Sequence, residues 1–261
     1  MHISALWQYP VKSCRGLQQP MLPLVAGGLF GDRRWMIVGD QYQFLTQRQL
    51  PNMVKIFAVL EEGELRLRFN EQKLSVAAPS ADKLIDVTVW EDQCHAMGVE
   101  ASIDAVLSEW LEQPVHLVYM PETALRQVDK TYAQEGDQVS FADGFPLLLI
   151  SEASLEDLNS KLESPVEMER FRPNIVVADC EPYAEDSWKT IRIGGILFDL
   201  VKPCSRCVIP SVNLYSAEKE QKVLEGLAKH RKRDNKVFFG QNVIQRNSGI
   251  LCLNDTVEVI A

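Results

Sequence analysis

Leu65-Arg-Leu-Arg-Phe69 alternates apolar and polar residues without a break, and Glu61-Glu-Gly-Glu64 joins it to the apolar run 53–60. A period of two is that of a half-buried strand, so residues 53–69 read as a hairpin. Residues 84–90 alternate likewise, and 3–11 and 34–38 are short apolar runs, the second ended by Gly39-Asp40. Strands this short at this spacing restrict the first half to an antiparallel barrel or sandwich.

The second half changes character. Ile103, Val106, Leu107, Trp110 and Leu111 make one apolar helical stripe over residues 102–112, which Pro114 stops. Residues 115–119 then read as a strand. Residues 121–143 are polar and irregular, the best place for a boundary or a mobile loop. Strands are expected over 147–150 and 174–178. A helix should start at 151–154, with Ser154 and Asp157 in capping-box spacing and Leu155, Leu158 and Leu162 inward. Residues 191–201, interrupted by Gly194-Gly195, read as a hairpin running into Cys204. A polar helix over 217–229 and closing strands over 237–245 and 250–260 complete a mainly β, α+β chain with about three helices.

The 261 residues allow one large domain or two small ones. Lys and Arg number 27 against 36 Asp and Glu, a net charge of -9. An acidic chain is a poor general binder of nucleic acid or anionic membrane. No apolar run reaches the roughly 20 residues of a membrane span, and the first residues lack a secretory signal. The expectation is a cytoplasmic protein with no nucleic-acid or membrane partner. Six cysteines do not make a disulfide scaffold in a chain of this length.

The only close cysteine pair is Cys204-Ser-Arg-Cys207. Structural zinc needs four ligands, and neither a second pair nor spaced histidines are present. A thioredoxin-type pair opens a helix, whereas this one follows a strand. What remains is a cysteine at a strand end beside Arg206, whose guanidinium would favour thiolate, or two cysteines in an apolar loop without chemistry. Lys12-Ser13-Cys14-Arg15-Gly16 offers charge-assisted donors and close backbone approach to an anion, or an ordinary turn. Arg33, after Asp32, could serve the same anion or pair with Asp32. In Arg172-Pro173-Asn174, Pro173 is expected to hold Arg172 extended. A soft thiolate with several guanidinium forks suits a metal-bearing phosphorylated cofactor.

Tyr9-Pro-Val-Lys-Ser-Cys-Arg-Gly16, Gly31-Asp-Arg-Arg-Trp35, Ser151-Glu-Ala-Ser-Leu155, Phe171-Arg-Pro-Asn-Ile175, Tyr183-Ala-Glu-Asp-Ser-Trp188 and Lys202-Pro-Cys-Ser-Arg-Cys207 occur in this order. Together they resemble the MOSC family, of the type of the mitochondrial amidoxime-reducing component and bacterial reductases of N-hydroxylated bases. The resemblance implies an N-terminal MOSC β-barrel module, residues 1–119, followed by a β-barrel-like MOSC domain, residues 120–261. It implies a molybdenum cofactor (molybdenum-molybdopterin) with Cys207 as the metal ligand and catalytic residue, and Cys204 not a ligand. Cofactor contacts carry over to Lys12, Ser13, Arg33, Arg172, Asn174, Ser205 and Arg206. They also carry over to Asn242, where relatives can have Tyr, and to Gly144 and Phe145, whose contacts would come from the backbone. The implied reaction is reduction of a small N-hydroxylated compound to the amine or amidine by oxygen-atom transfer. The plant-type iron–sulfur spacing of longer relatives is absent from the sequence, so a separate reductase, a flavoprotein or ferredoxin-like, is expected to supply electrons. MOSC domains fused to cofactor sulfurases imply a second class, a persulfide carrier serving metal–sulfur assembly. A cofactor-storage module is a third. The basic run Lys229-His-Arg-Lys-Arg233 reads as the solvated end of a helix, or as a dock for an acidic electron-transfer partner.

Overall fold

The first strand, His2–Gln8, pairs antiparallel with Ile175–Ala178, so the chain begins inside a sheet built mainly from its second half. The computed structural model describes residues 1–79 and 84–261. Among them, the large sheet runs in the order Val257–Val259, Thr190–Ile193, Ile196–Ser205, Lys236–Gln245, Leu147–Ser151, Ile175–Ala178, His2–Gln8 and Leu17–Gln18. Lys232–Arg233 adds to Lys236–Gln245 off this path. The chain leaves this sheet after Gln8 and builds a four-stranded sheet ordered Trp35–Val38, His116–Tyr119, Asp92–Gly98 and Leu84–Val89. It also builds the meander Phe57–Glu61, Glu64–Phe69 and Gln72–Val76. Residues 9–16 therefore bridge the two halves. The isolated pairings Val11 with Trp35 and Arg15 with Phe57 attach them to the smaller sheets.

The alternating strand is as expected: in Glu64–Phe69, Leu65 and Leu67 are buried while Arg66 and Arg68 point away. The segment before it is only partly strand. Pro51–Lys55 is a 3-10 turn, because Pro51 starts a helical turn readily and Met53 and Val54 bury from it. Helix α1, Ala101–Leu111, seats Leu107, Trp110 and Leu111 on the core of the smaller sheets. Helix α2, Glu152–Asn159, is capped by Ser151 rather than Ser154: the Ser151 hydroxyl accepts from the Ser154 N–H at 3.2 Å. Asp157 instead takes the Tyr183 hydroxyl at 2.6 Å. Helix α3 spans Lys222–Arg231, later than the polar pattern indicated. The residues before it are held by turns, with Glu220 N–H on the Ser211 carbonyl at 2.7 Å. Residues 121–143 carry no strand or helix but are not a loose boundary: Arg126, Val128, Val139 and Phe141 are buried. No helix among the described residues is long and apolar enough to cross a membrane.

One strand geometry positions the site directly. The register of Ile196–Ser205 against Lys236–Gln245 slips between Leu200 and Lys202 and again between Pro203 and Ser205. Such bulges bend a strand and turn its end toward the junction of the two halves. Gly240, at φ +79°, allows the opposing strand to follow. A Cβ there would lie 2.6 Å from Ile150 Cγ1 and 2.8 Å from the Leu149 carbonyl. Gly240→Ala is therefore expected to lower stability by about 2–4 kcal/mol, combining left-handed strain with overpacking. A urea midpoint that does not move would contradict this.

Candidate functional site

The cleft lies where residues 9–16 and 31–34 of the first half meet the bent strand ends of the second. It holds about 760 Å³ of space free of protein atoms, its mouth included. Lys12, Ser13, Arg33, Gly144, Phe145, Arg172, Asn174, Ser205, Arg206, Cys207 and Asn242 all line it. These are all of the residues singled out from the sequence, brought together from six separated segments. Cys207 is half-buried and opens onto the same cleft as Lys12, Arg33 and Arg172.

Three of these residues have left-handed backbones: Ser13 at φ 64°, Arg33 at φ 49° and Arg172 at φ 58°. Non-glycine residues hold this conformation only when their surroundings impose it, and such strain gathers at functional sites. For Arg172 it overrides the proline expectation. The residue is not extended but closes the 3-10 turn Met168–Phe171, donating its N–H to the Glu169 carbonyl at 3.0 Å. Asn174 immediately precedes the strand Ile175–Ala178. Its side-chain carbonyl accepts from the Leu148 N–H at 3.2 Å and from Arg33 Nη1 at 3.0 Å.

The cations are buried and held in fixed positions. Arg33 and Arg172 stack on the Tyr9 ring, with guanidinium carbons 4.3 and 4.2 Å from its centroid. Arg33 pairs with Asp32, whose other oxygen accepts from the Tyr9 N–H at 2.8 Å. Arg172 donates Nη1 to the Cys14 carbonyl at 2.7 Å, but its Nη2 is buried with no partner among the described residues. Burial and then the neighbouring Arg33 push its guanidinium below the ordinary value. An anion in the cleft would relieve both effects. Lys12 is buried, with Nζ 2.7 Å from the Phe141 carbonyl and 2.5 Å from Asp143 Oδ1. Burial lowers the Lys12 ammonium, and Asp143 partly restores it. For Asp143, desolvation is outweighed by Lys12 and Arg48, which hold the carboxyl below the usual carboxylate range. Its side chain is nevertheless 55% exposed, so the pairing is partly open to water.

The cysteines differ from expectation in one respect. Arg206 does not serve Cys207. It donates Nη1 to Cys204 Sγ at 3.1 Å and Nη2 to the Phe171 carbonyl at 2.6 Å. The guanidinium at Cys207 is that of Arg48, with Nη2 3.3 Å from Sγ. Arg48 lies 4.8 Å over Trp90 and 3.7 Å from Asp143, and Lys219 holds its carbonyl at 3.0 Å. Nothing local in Thr46-Gln-Arg48 marks it, because its three supports come from residues 90, 143 and 219. Cys14, inside the Lys12 motif, is sealed in the core, and burial pushes its thiol up to about 12. All six cysteines are free. Among the described residues, no three His, Cys, Asp or Glu side chains are grouped to hold a metal ion. A metal at Cys207 would therefore draw its other ligands from outside the chain. The orphaned Arg172 donor, the several cations and the partly exposed thiols of Cys204 and Cys207 match a soft metal carried by an anionic organic group.

The sequence matches the MOSC N-terminal beta barrel domain over residues 1–114 and the MOSC domain over residues 136–258. Mitochondrial amidoxime-reducing component 1 of Mus musculus is 33% identical, with 99% of this chain and 82% of that protein covered. The Homo sapiens protein of the same name is 31% identical over the same shares. Molybdenum cofactor sulfurase of Oryza sativa subsp. japonica is 32% identical over 92% of this chain, which spans 32% of that protein's length.

Proposed function

The chain belongs to the MOSC family, together with the amidoxime-reducing components, and on that premise we propose that it is a molybdenum-cofactor-dependent reductase of N-hydroxylated compounds. The observation that carries this reading is the convergence of buried cations from both halves on one cleft that also exposes the Cys207 thiol. Lys12, Ser13, Arg33, Arg172, Asn174, Ser205 and Arg206 would hold a phosphate-bearing pterin. Gly144, Phe145 and Asn242 would line it, and Cys207 would bind the metal. Bound there, the cofactor supplies two-electron oxygen-atom chemistry at the metal. The chain orients and shields. Arg172 Nη2 faces the anion, Asn174 aims Arg33, and Asp143 moderates the charge of Lys12. Arg48 donates to the Cys207 sulfur and so orients it, and the Trp90 ring keeps that guanidinium in place. Electrons come from a separate donor protein.

The test is expression with active molybdopterin synthesis, metal analysis, and reduction of 6-hydroxylaminopurine by an artificial one-electron donor. Stoichiometric molybdenum with turnover is expected. Labile sulfur without molybdenum would instead favour the persulfide-carrier reading.

A further inference from the structure

Two cavities reach Cys207. Besides the cationic cleft, a groove of about 860 Å³, its open mouth included, runs up to Ser205, Arg206 and Cys207 along α3. Leu224 and Ala228, one helical turn apart and so on one face, form one wall and Val237 another. Asp234 and Asn235, at φ 47° and 60°, form the two-residue turn between Lys232–Arg233 and Lys236–Gln245. That tight hairpin fixes Asn235 and Lys236 at the rim. Glu225 stands at the same rim, and its carboxylate has no partner among the described residues.

The two cavities differ in chemistry. The cations of the cleft are already buried and paired, and an uncharged aromatic body there would leave the Arg172 Nη2 donor without an acceptor. The groove offers aliphatic walls, the Asn235 amide and the Glu225 carboxylate; Lys236 and Arg206 are also on its lining, the latter already bonded to Cys204 and the Phe171 carbonyl.

We propose that the groove receives the organic body of the substrate, a flat aromatic amidine or aminoheterocycle, with its ring on Leu224, Ala228 and Val237 and its N–H groups toward Glu225, so that the N–O group lies beside Cys207. The proposal rests on the reading of Cys207 given above. It makes Leu224 and Ala228 determinants of specificity for the aromatic body.

The experiment uses molybdenum-loaded protein and compares benzamidoxime with acetamidoxime, which share the reacting group and differ in body. Ala228→Trp, which fills the groove, is expected to lower the ratio of their kcat/KM values by about tenfold or more, and Leu224→Ala, which removes part of the wall under the ring, to lower it by a smaller factor. Calorimetric titration with benzamidine should show weaker binding in Ala228→Trp by a similar factor. Ratios within twofold of wild type in both variants, with benzamidine binding unaltered, would overturn the proposal. If loaded wild-type protein reduces neither amidoxime, the reaction assignment falls while benzamidine still decides the groove. Binding lost in Ala228→Trp supports it, and binding that is absent or unaltered removes it.

Discussion

Replacing Cys207 with alanine is expected to reduce N-hydroxy reduction to the rate of a protein-free blank, with the fold unchanged. Cys207 is half-buried at the cleft, so its removal opens no core cavity. Its sulfur accepts one side-chain hydrogen bond, from Arg48, which can turn to Asp143 or water instead. A change in thermal midpoint of no more than a degree or two is therefore expected, since surface substitutions stay within about 0.5 kcal/mol. Molybdenum content should fall with activity if Cys207 is, as proposed, the protein's bond to the metal. Cys204→Ala is the control. Cys204 bonds Arg206, whose other nitrogen keeps the Phe171 carbonyl. Its loss loosens a donor without removing a ligand, and a reduction of about tenfold is expected, the scale of a supporting contact. Equal losses in both variants, or full activity in Cys207→Ala, would reject the assignment.

The mainly β character was legible because period-two alternation and turn residues are local signals, as in Leu65 to Phe69. The cleft was legible only through the six motifs taken together, because each cation, glycine and thiol had an ordinary structural reading when taken alone. Conformation was less so. Pro173 argues locally for an extended Arg172, yet capping the 3-10 turn prevails. Arg48 and its supports could not be read, because Trp90, Asp143 and Lys219 meet it only in the folded chain. Motif resemblance also mixed two kinds of constraint. Ser151, Ser154 and Glu185, from two of the six motifs, do not line the cleft. They form a buried network in which Glu185 accepts from the Ser151 N–H at 3.1 Å and from the two hydroxyls at 2.9 and 2.8 Å. They tie α2 to the large sheet rather than serve the cleft.

Asp32 is expected to show the largest stability effect at the cleft. Its carboxylate is buried and does two things: it accepts the Tyr9 N–H and it neutralises Arg33. Asp32→Ala leaves an orphan amide and a buried guanidinium sharing the Tyr9 ring with a second one, Arg172. Breaking a buried pair from one side costs about 3–5 kcal/mol, mostly the penalty of the charge left behind. If that is the cause, removing the charge should recover much of the loss, so Asp32→Ala combined with Arg33→Met should be more stable than Asp32→Ala alone. Asp32→Asn, which keeps an acceptor for Tyr9 but not the charge, should fall between. Urea denaturation of wild type, Asp32→Ala, Arg33→Met and the double variant closes the cycle, with Asp32→Asn measured alongside. Additive losses would mean that Asp32 acts only through the backbone of Tyr9, and that Arg33 is held in the cleft by Asn174 and stacking without need of a counter-charge.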